Sequence, residues 1–217
     1  MESNQLTKEF RPLGEWHIFG MGYLLISETA CEEMIKSVAD GKMIKNDLYI
    51  PTIYNIKHAI EIFEKLIILI ADDKNLLNQN KDWGHDIKTL FARLKSKIDF
   101  KGMAKYYTCN PSDQYLTDIP LIEKTIDECS NLVDKYYHLS FLIEKIGTDF
   151  IVEDGINDAF RYPQNNLLIK PKYQKILEKI TINDIEQIKN DIIELKKFLK
   201  LELSIGIYIM NKGTIQN

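Results

Sequence analysis

The residues best suited to chemistry in this chain sit in three short stretches. "NIKHAIEIFEKLIILI", Asn55 to Ile70, carries His58, Glu61 and Lys65 at spacings of three and four. On a helix those spacings bring the three side chains to one face. A carboxylate one turn from a histidine fixes the imidazole tautomer, which is half of an acid/base arrangement. A His-x-x-Glu pair also offers two metal ligands, but nothing in the sequence supplies a convincing second pair. In "GHDI", Gly84 to Ile87, His85 and Asp86 are adjacent and point in different directions. Asp86 suits a helix cap or first turn, where free amides favour a negative charge. His85 is expected to meet His58 or Glu61 from a neighbouring helix. In "FRYP", Phe160 to Pro163, the proline biases Tyr162 to an extended backbone. The segment reads as a stiff strap from which Arg161 reaches a carboxylate, Glu61 foremost, or a phosphate.

The candidate catalytic residues are therefore His58, His85 and Arg161, and the candidate binding residues Glu61, Lys65, Asp86 and Tyr162. Each has a plainer reading: a polar seam that orients packing, a cap beside a surface histidine, and a structural clamp. No metal site or cofactor is expected, because no glycine-rich phosphate loop, nucleophile elbow or zinc spacing occurs. Cys31, Cys109 and Cys129 are scattered and odd in number, so they read as reduced, half-buried residues.

The elements that must position these residues are helical. Trp16, Phe19, Tyr23, Ile26, Ala30, Met34 and Val38 recur at three and four, predicting a helix from near Gly14 to Val38, stopped at Gly41. A second helix begins at Pro51-Thr52. Ile53, Ile56, Ile60, Phe63, Ile67 and Ile70 form one stripe on it, and Ala59, Ile62, Leu66 and Leu69 another. Two stripes make it the central helix, with Tyr54, Lys57, His58, Glu61, Glu64 and Lys65 on a narrow polar edge. Further helices are expected over 84–98, 120–146 and 182–210, the last capped by Thr181 or Asn183 with Glu186 in reciprocal position. Segments 99–120 and 147–171 read as irregular. No strand alternation, repeat or linker appears, which gives an all-α, single-domain helical bundle of about five main helices.

Composition narrows the function classes. Charged residues make up 28% of the chain, and the longest apolar run is Leu66 to Ala71, far short of the roughly 18 residues a spanning helix needs. No membrane partner is expected, and the polar N-terminus suggests a cytoplasmic protein. The net charge of -4 leaves no global footprint for nucleic acid. Its distribution is uneven. Lys81 to Lys105 holds seven basic and three acidic residues, and Asp118 to Asp158 three basic and ten acidic. The basic segment either follows a phosphate backbone or, by the favoured reading, faces the acidic one.

Taken together, "HAIEIFEKLIILI", "GHDIKTLF" and "FRYP" resemble the HEPN superfamily of small helical bundles, mainly over Thr52 to Ile98. The resemblance implies a homodimer in a prokaryotic stress or phage-defence setting, with RNA or a nucleotide as ligand and a cognate antitoxin or other protein as partner. Active members resemble metal-independent ribonucleases that use an R-x(4–6)-H motif. Here that motif is matched only by Arg11 to His17, which contains Pro12 and Gly14. The resemblance thus implies a variant without the usual motif, acting as a nucleic-acid- or nucleotide-associated module. The alternatives are a metal-independent RNA endonuclease and a non-catalytic interaction protein.

Overall fold

The computed structural model describes residues 3–42, 46–72, 84–109, 119–139, 141–142 and 177–211. The main helices among them are α1 (Ser3–Ala39), α2 (Tyr49–Asp72), α3 (Ile87–Lys97), α4 (Phe100–Cys109), α5 (Ile119–His138) and α6 (Ile182–Asn211). A 3-10 turn, Asn46–Leu48, leads into α2, and no strand occurs among the described residues. The all-α bundle is therefore what the chain forms.

The centre is α2, which packs on α1, α3, α5 and α6. Its first stripe is buried from Ile53 through Ile67, and Ala59, Leu66 and Ile68 join the core. Burial of each large apolar side chain contributes roughly 1.5–3 kcal/mol, so this helix organises the fold. Gly20 lets α1 approach closely, since a Cβ there would overlap the Phe63 ring. The Ser27 hydroxyl also reaches across to α2, donating to the Thr52 carbonyl at 3.3 Å.

Several boundaries differ from the sequence expectation. The first helix starts at Ser3, not near Gly14, and continues through Pro12 and Gly14. It ends where Gly41 takes φ 71, with Lys42 N donating to the Ser37 carbonyl. That left-handed cap is cheap only for glycine. The inward face of α1 is also rotated from the predicted stripe. Gly20, Leu24, Ser27, Cys31 and Met34 are buried, whereas Phe19 and Ile26 face outward. With apolar residues on both sides of α1, periodicity could not choose between the faces.

The segment expected to be irregular over 99–120 contains α4. Its signal is weak because Gly102 sits inside it and its described buried side chains are only Met103 and Tyr106. Gly102 N donates to Asp99 Oδ1 at 2.9 Å, and the Tyr208 hydroxyl donates to Asp99 Oδ2 at 3.3 Å. Asp99 thereby caps α4 and ties it to α6. Helix α5 stops at His138, short of residue 146, because Leu139 adopts φ 51. At the start of α6 the reciprocal carboxylate is Asp184, not Glu186: Asp184 Oδ2 accepts from Thr181 N at 2.7 Å. The second irregular stretch, 147–171, lies outside the described residues.

The cysteines are free, with Cys31 and Cys129 buried and Cys109 exposed, not half-buried. Burial pushes the Cys31 thiol up to about 12, so it is an inert core residue. Among the described residues no helix is long and apolar enough to cross a membrane.

Candidate functional site

The polar edge of α2 is not a wet edge. Lys57, Glu61 and Glu64 are all buried, and only His58 and Lys65 among the chemically interesting residues stay partly open. What keeps Glu61 charged-group chemistry tolerable there is its company. Lys65 Nζ donates to Glu61 Oε1 at 2.6 Å, one turn along the same helix. His85 Nδ1 lies 2.9 Å from the same oxygen. His58 Nδ1 stands 3.9 Å from Oε2, within ion-pair range but beyond a hydrogen bond.

The loop before α3 brings His85 into place. Gly84 has φ 68, a left-handed conformation that glycine adopts without strain. Two residues later Asp86 caps α3, its Oδ1 accepting from Thr89 N at 2.9 Å. His85 is therefore held between a turn and a cap, with one ring nitrogen on Glu61. Its side chain remains 49% exposed, so the ring is anchored at Nδ1 and open to water elsewhere. A carboxylate accepts only, so in the neutral ring this geometry selects the tautomer with hydrogen on Nδ1 and makes Nε2 the acceptor nitrogen.

His58 is braced by aromatic rings instead. Tyr23 of α1 meets it edge-on at 4.6 Å between centroids, and Tyr54 lies nearly parallel at 5.8 Å. These contacts fix the plane of the ring and leave it 26% exposed.

One member of the cluster was missed as a site residue. Glu64 is buried on α2, and neither carboxylate oxygen has a hydrogen-bond partner among the described residues. Burial pushes its pKa well above the ordinary carboxylate range, helped by the charges of Glu61 and Asp86 and opposed by Lys65. A lone buried carboxylate is far costlier than the neutral acid, so the site favours the protonated form of Glu64. The only sequence signal was its position on the polar edge, three residues from Glu61.

The structure thus gathers His58, Lys65 and His85 around the Glu61 carboxylate, with Asp86 supporting from the cap. Arg161 and Tyr162 lie outside the described residues, as does the expected reach of Arg161 to Glu61. Of the weak motif, His17 lies half-buried on α1. The uneven charge has a partial explanation within the chain. Lys88 pairs with Asp134 at 3.1 Å and Lys95 with Asp127 at 3.3 Å, joining α3 to α5. Among the described residues no group of three or more His, Cys, Asp or Glu side chains is arranged to hold a metal ion. Compared with protein-family models, curated proteins and solved structures, the chain matches none.

Proposed function

We propose that the chain is a HEPN-like nucleic-acid- or nucleotide-associated module that takes an RNA or nucleotide phosphate at the open side of the Glu61 cluster. The observation that carries this reading is His85: half exposed, anchored through Nδ1 on a buried carboxylate, with the Lys65 ammonium on the same oxygen. An anchored imidazole loses little entropy when it takes a second proton on Nε2 and donates it to a phosphate oxygen. Lys65 offsets the Glu61 charge that would otherwise repel an anion. The family resemblance supplies the stress or defence setting.

A second reading is metal-independent RNA cleavage. It is favoured by two imidazoles, His58 and His85, on opposite oxygens of one carboxylate. Attack by a 2'-hydroxyl needs a base for that proton and an acid for the departing 5'-oxygen, and two histidines can fill the two roles.

Fluorescence anisotropy with single-stranded RNA and with nucleotides tests the binding reading. Binding should weaken as salt rises, and His85→Ala should weaken it roughly tenfold, the worth of one charge-assisted hydrogen bond. No binding at low salt, or equal binding by His85→Ala, overturns the reading. Cleavage in the presence of a chelator, lost in both His58→Ala and His85→Ala, would establish the second reading.

A further inference from the structure

Tyr54, His58, Glu61 and Lys65 follow one another on α2 at spacings of four, three and four, a straight stripe along the helix. Glu61 is its buried member, while Tyr54, His58 and Lys65 are each partly open. Two neighbours border the stripe. Tyr23 of α1 stands against His58 on one edge, and His85 from the loop before α3 stands against Glu61 on the other. The two ends differ in chemistry. One carries three aromatic rings, the other an ammonium and a half-exposed imidazole on the same carboxylate oxygen.

The planes of Tyr54 and His58 lie 10° apart, with centroids 5.8 Å from each other. Parallel rings at that separation are displaced sideways, so they form a step and each covers only part of the other's face. Tyr23 stands at 88° to His58 and makes a wall beside the step. All three rings are partly exposed, in contrast to Tyr49 and Tyr136, which are sealed in the core. An open step of parallel rings continues naturally into one more flat ring.

We propose that this step is a nucleobase subsite, and that the ligand of the Glu61 cluster is single-stranded RNA with an unpaired base laid against Tyr54 and His58, a reading that rests on the phosphate site above. The seven residues from His58 to Lys65 span about 10 Å along the helix axis. That length carries an extended strand from a base, past its ribose, to the next phosphate. The arrangement also respects charge. The neutral base occupies the aromatic end, the phosphate meets Lys65 and His85, and neither sits on the Glu61 carboxylate between them. Every base has a π-face, so the step takes bases without strong sequence preference. A duplex, whose bases are already paired and stacked, cannot use it.

Fluorescence anisotropy of the full chain with a single-stranded RNA oligomer, an abasic oligomer of the same length and an RNA duplex tests the subsite. The single strand should bind about tenfold tighter than the abasic oligomer, the worth of one base–aromatic stack. Both affinities should fall as salt rises, but their ratio should hold, because salt weakens phosphate contacts and not stacking. Tyr54→Leu should lower RNA affinity to the abasic level and leave abasic affinity unchanged, while Tyr54→Phe keeps the wild-type difference. An RNA carrying 2-aminopurine should lose fluorescence on binding the wild type and not on binding Tyr54→Leu. Equal wild-type affinity for the single strand and the abasic oligomer overturns the inference, whether or not Tyr54→Leu folds, and leaves the phosphate reading to His85→Ala. So does a duplex bound as tightly as the single strand, or a loss in Tyr54→Leu that extends equally to the abasic oligomer. No binding of any of the three overturns both readings together.

Discussion

Glu61 and Asp191 are both carboxylates withdrawn almost wholly from water, yet the bundle uses them differently. Asp191 on α6 accepts from Lys135 Nζ at 2.5 Å and from the Tyr136 hydroxyl at 3.0 Å, both on α5, and from Gln187 Nε2 at 3.3 Å. Tyr136 is fully buried, and its phenol is pushed well up by burial and by the Asp191 charge, so it stays a neutral donor. This knot rivets α5 to α6. At Glu61 one of the donors, His85, stands half in water on a loop, and a second carboxyl, Glu64, lies one turn away with no hydrogen-bond partner among the described residues. A sealed cluster spends its hydrogen bonds on the fold, whereas an open one exposes a member to water, which is where the proposed ligand would meet it.

Breaking the sealed knot should have the largest effect on stability. Asp191→Ala leaves the Lys135 ammonium and the Tyr136 hydroxyl without their shared acceptor. Removing one partner of a buried pair costs about 3–5 kcal/mol, and the partial exposure of Lys135 puts the expectation at the lower end, ~3 kcal/mol. Urea denaturation should show this loss with RNA affinity per folded molecule unchanged. Lost affinity in the folded fraction would mean that the two clusters are coupled.

The open cluster should respond in the opposite sense at Glu64. Glu64→Met replaces an unsatisfied buried acid with an apolar side chain of similar length, a gain of about 1–2 kcal/mol near neutral pH. The sign of its pH dependence follows from the raised pKa. Below about 4.5 the acid is neutral in both the folded and unfolded chain. Above that pH the unfolded chain ionises while the folded one holds its proton, so wild-type stability falls as pH rises toward the folded pKa. The advantage of Glu64→Met should therefore grow with pH from about 4.5 upward. Parallel stability curves for the two proteins would show that Glu64 has found a partner.

The smallest effect on stability should come from Asp86→Ala, about 1 kcal/mol for a lost N-cap. Loosening the cap also loosens His85, so ligand affinity should fall by more than the change in melting temperature suggests. Equal affinity would remove the cap from the support of the site.

The contrast was only half legible in the sequence. Spacing put His58, Glu61 and Lys65 on one face, and the Asp86 cap followed from its place before an apolar period. The meeting of His85 with Glu61 was suggested by adjacency of the two helices. The burial of Lys57, Glu61 and Glu64 was not legible, because a helical wheel shows which residues share an edge and not which neighbour covers it. The Asp191–Tyr136 knot joins residues from separate helices, and no local pattern marks such a pair. The inward face of α1 was misread at Phe19 and Ile26 because two apolar faces compete for one period, and α4 was missed because a ten-residue helix has little period to show.

The placement of His85 has a further consequence for hydrogen exchange. Its anchor lies mid-way along α2, in the most deeply packed part of the bundle, while the imidazole rides on the three residues before α3, a helix of 11 residues. Amides of α2 should exchange only through global unfolding, and those of α3 through a smaller, more frequent opening. Each such opening takes the site apart without melting the core. A ligand bridging Lys65 and His85 would close that opening and slow α3 exchange, registering its arrival in a helix it does not touch.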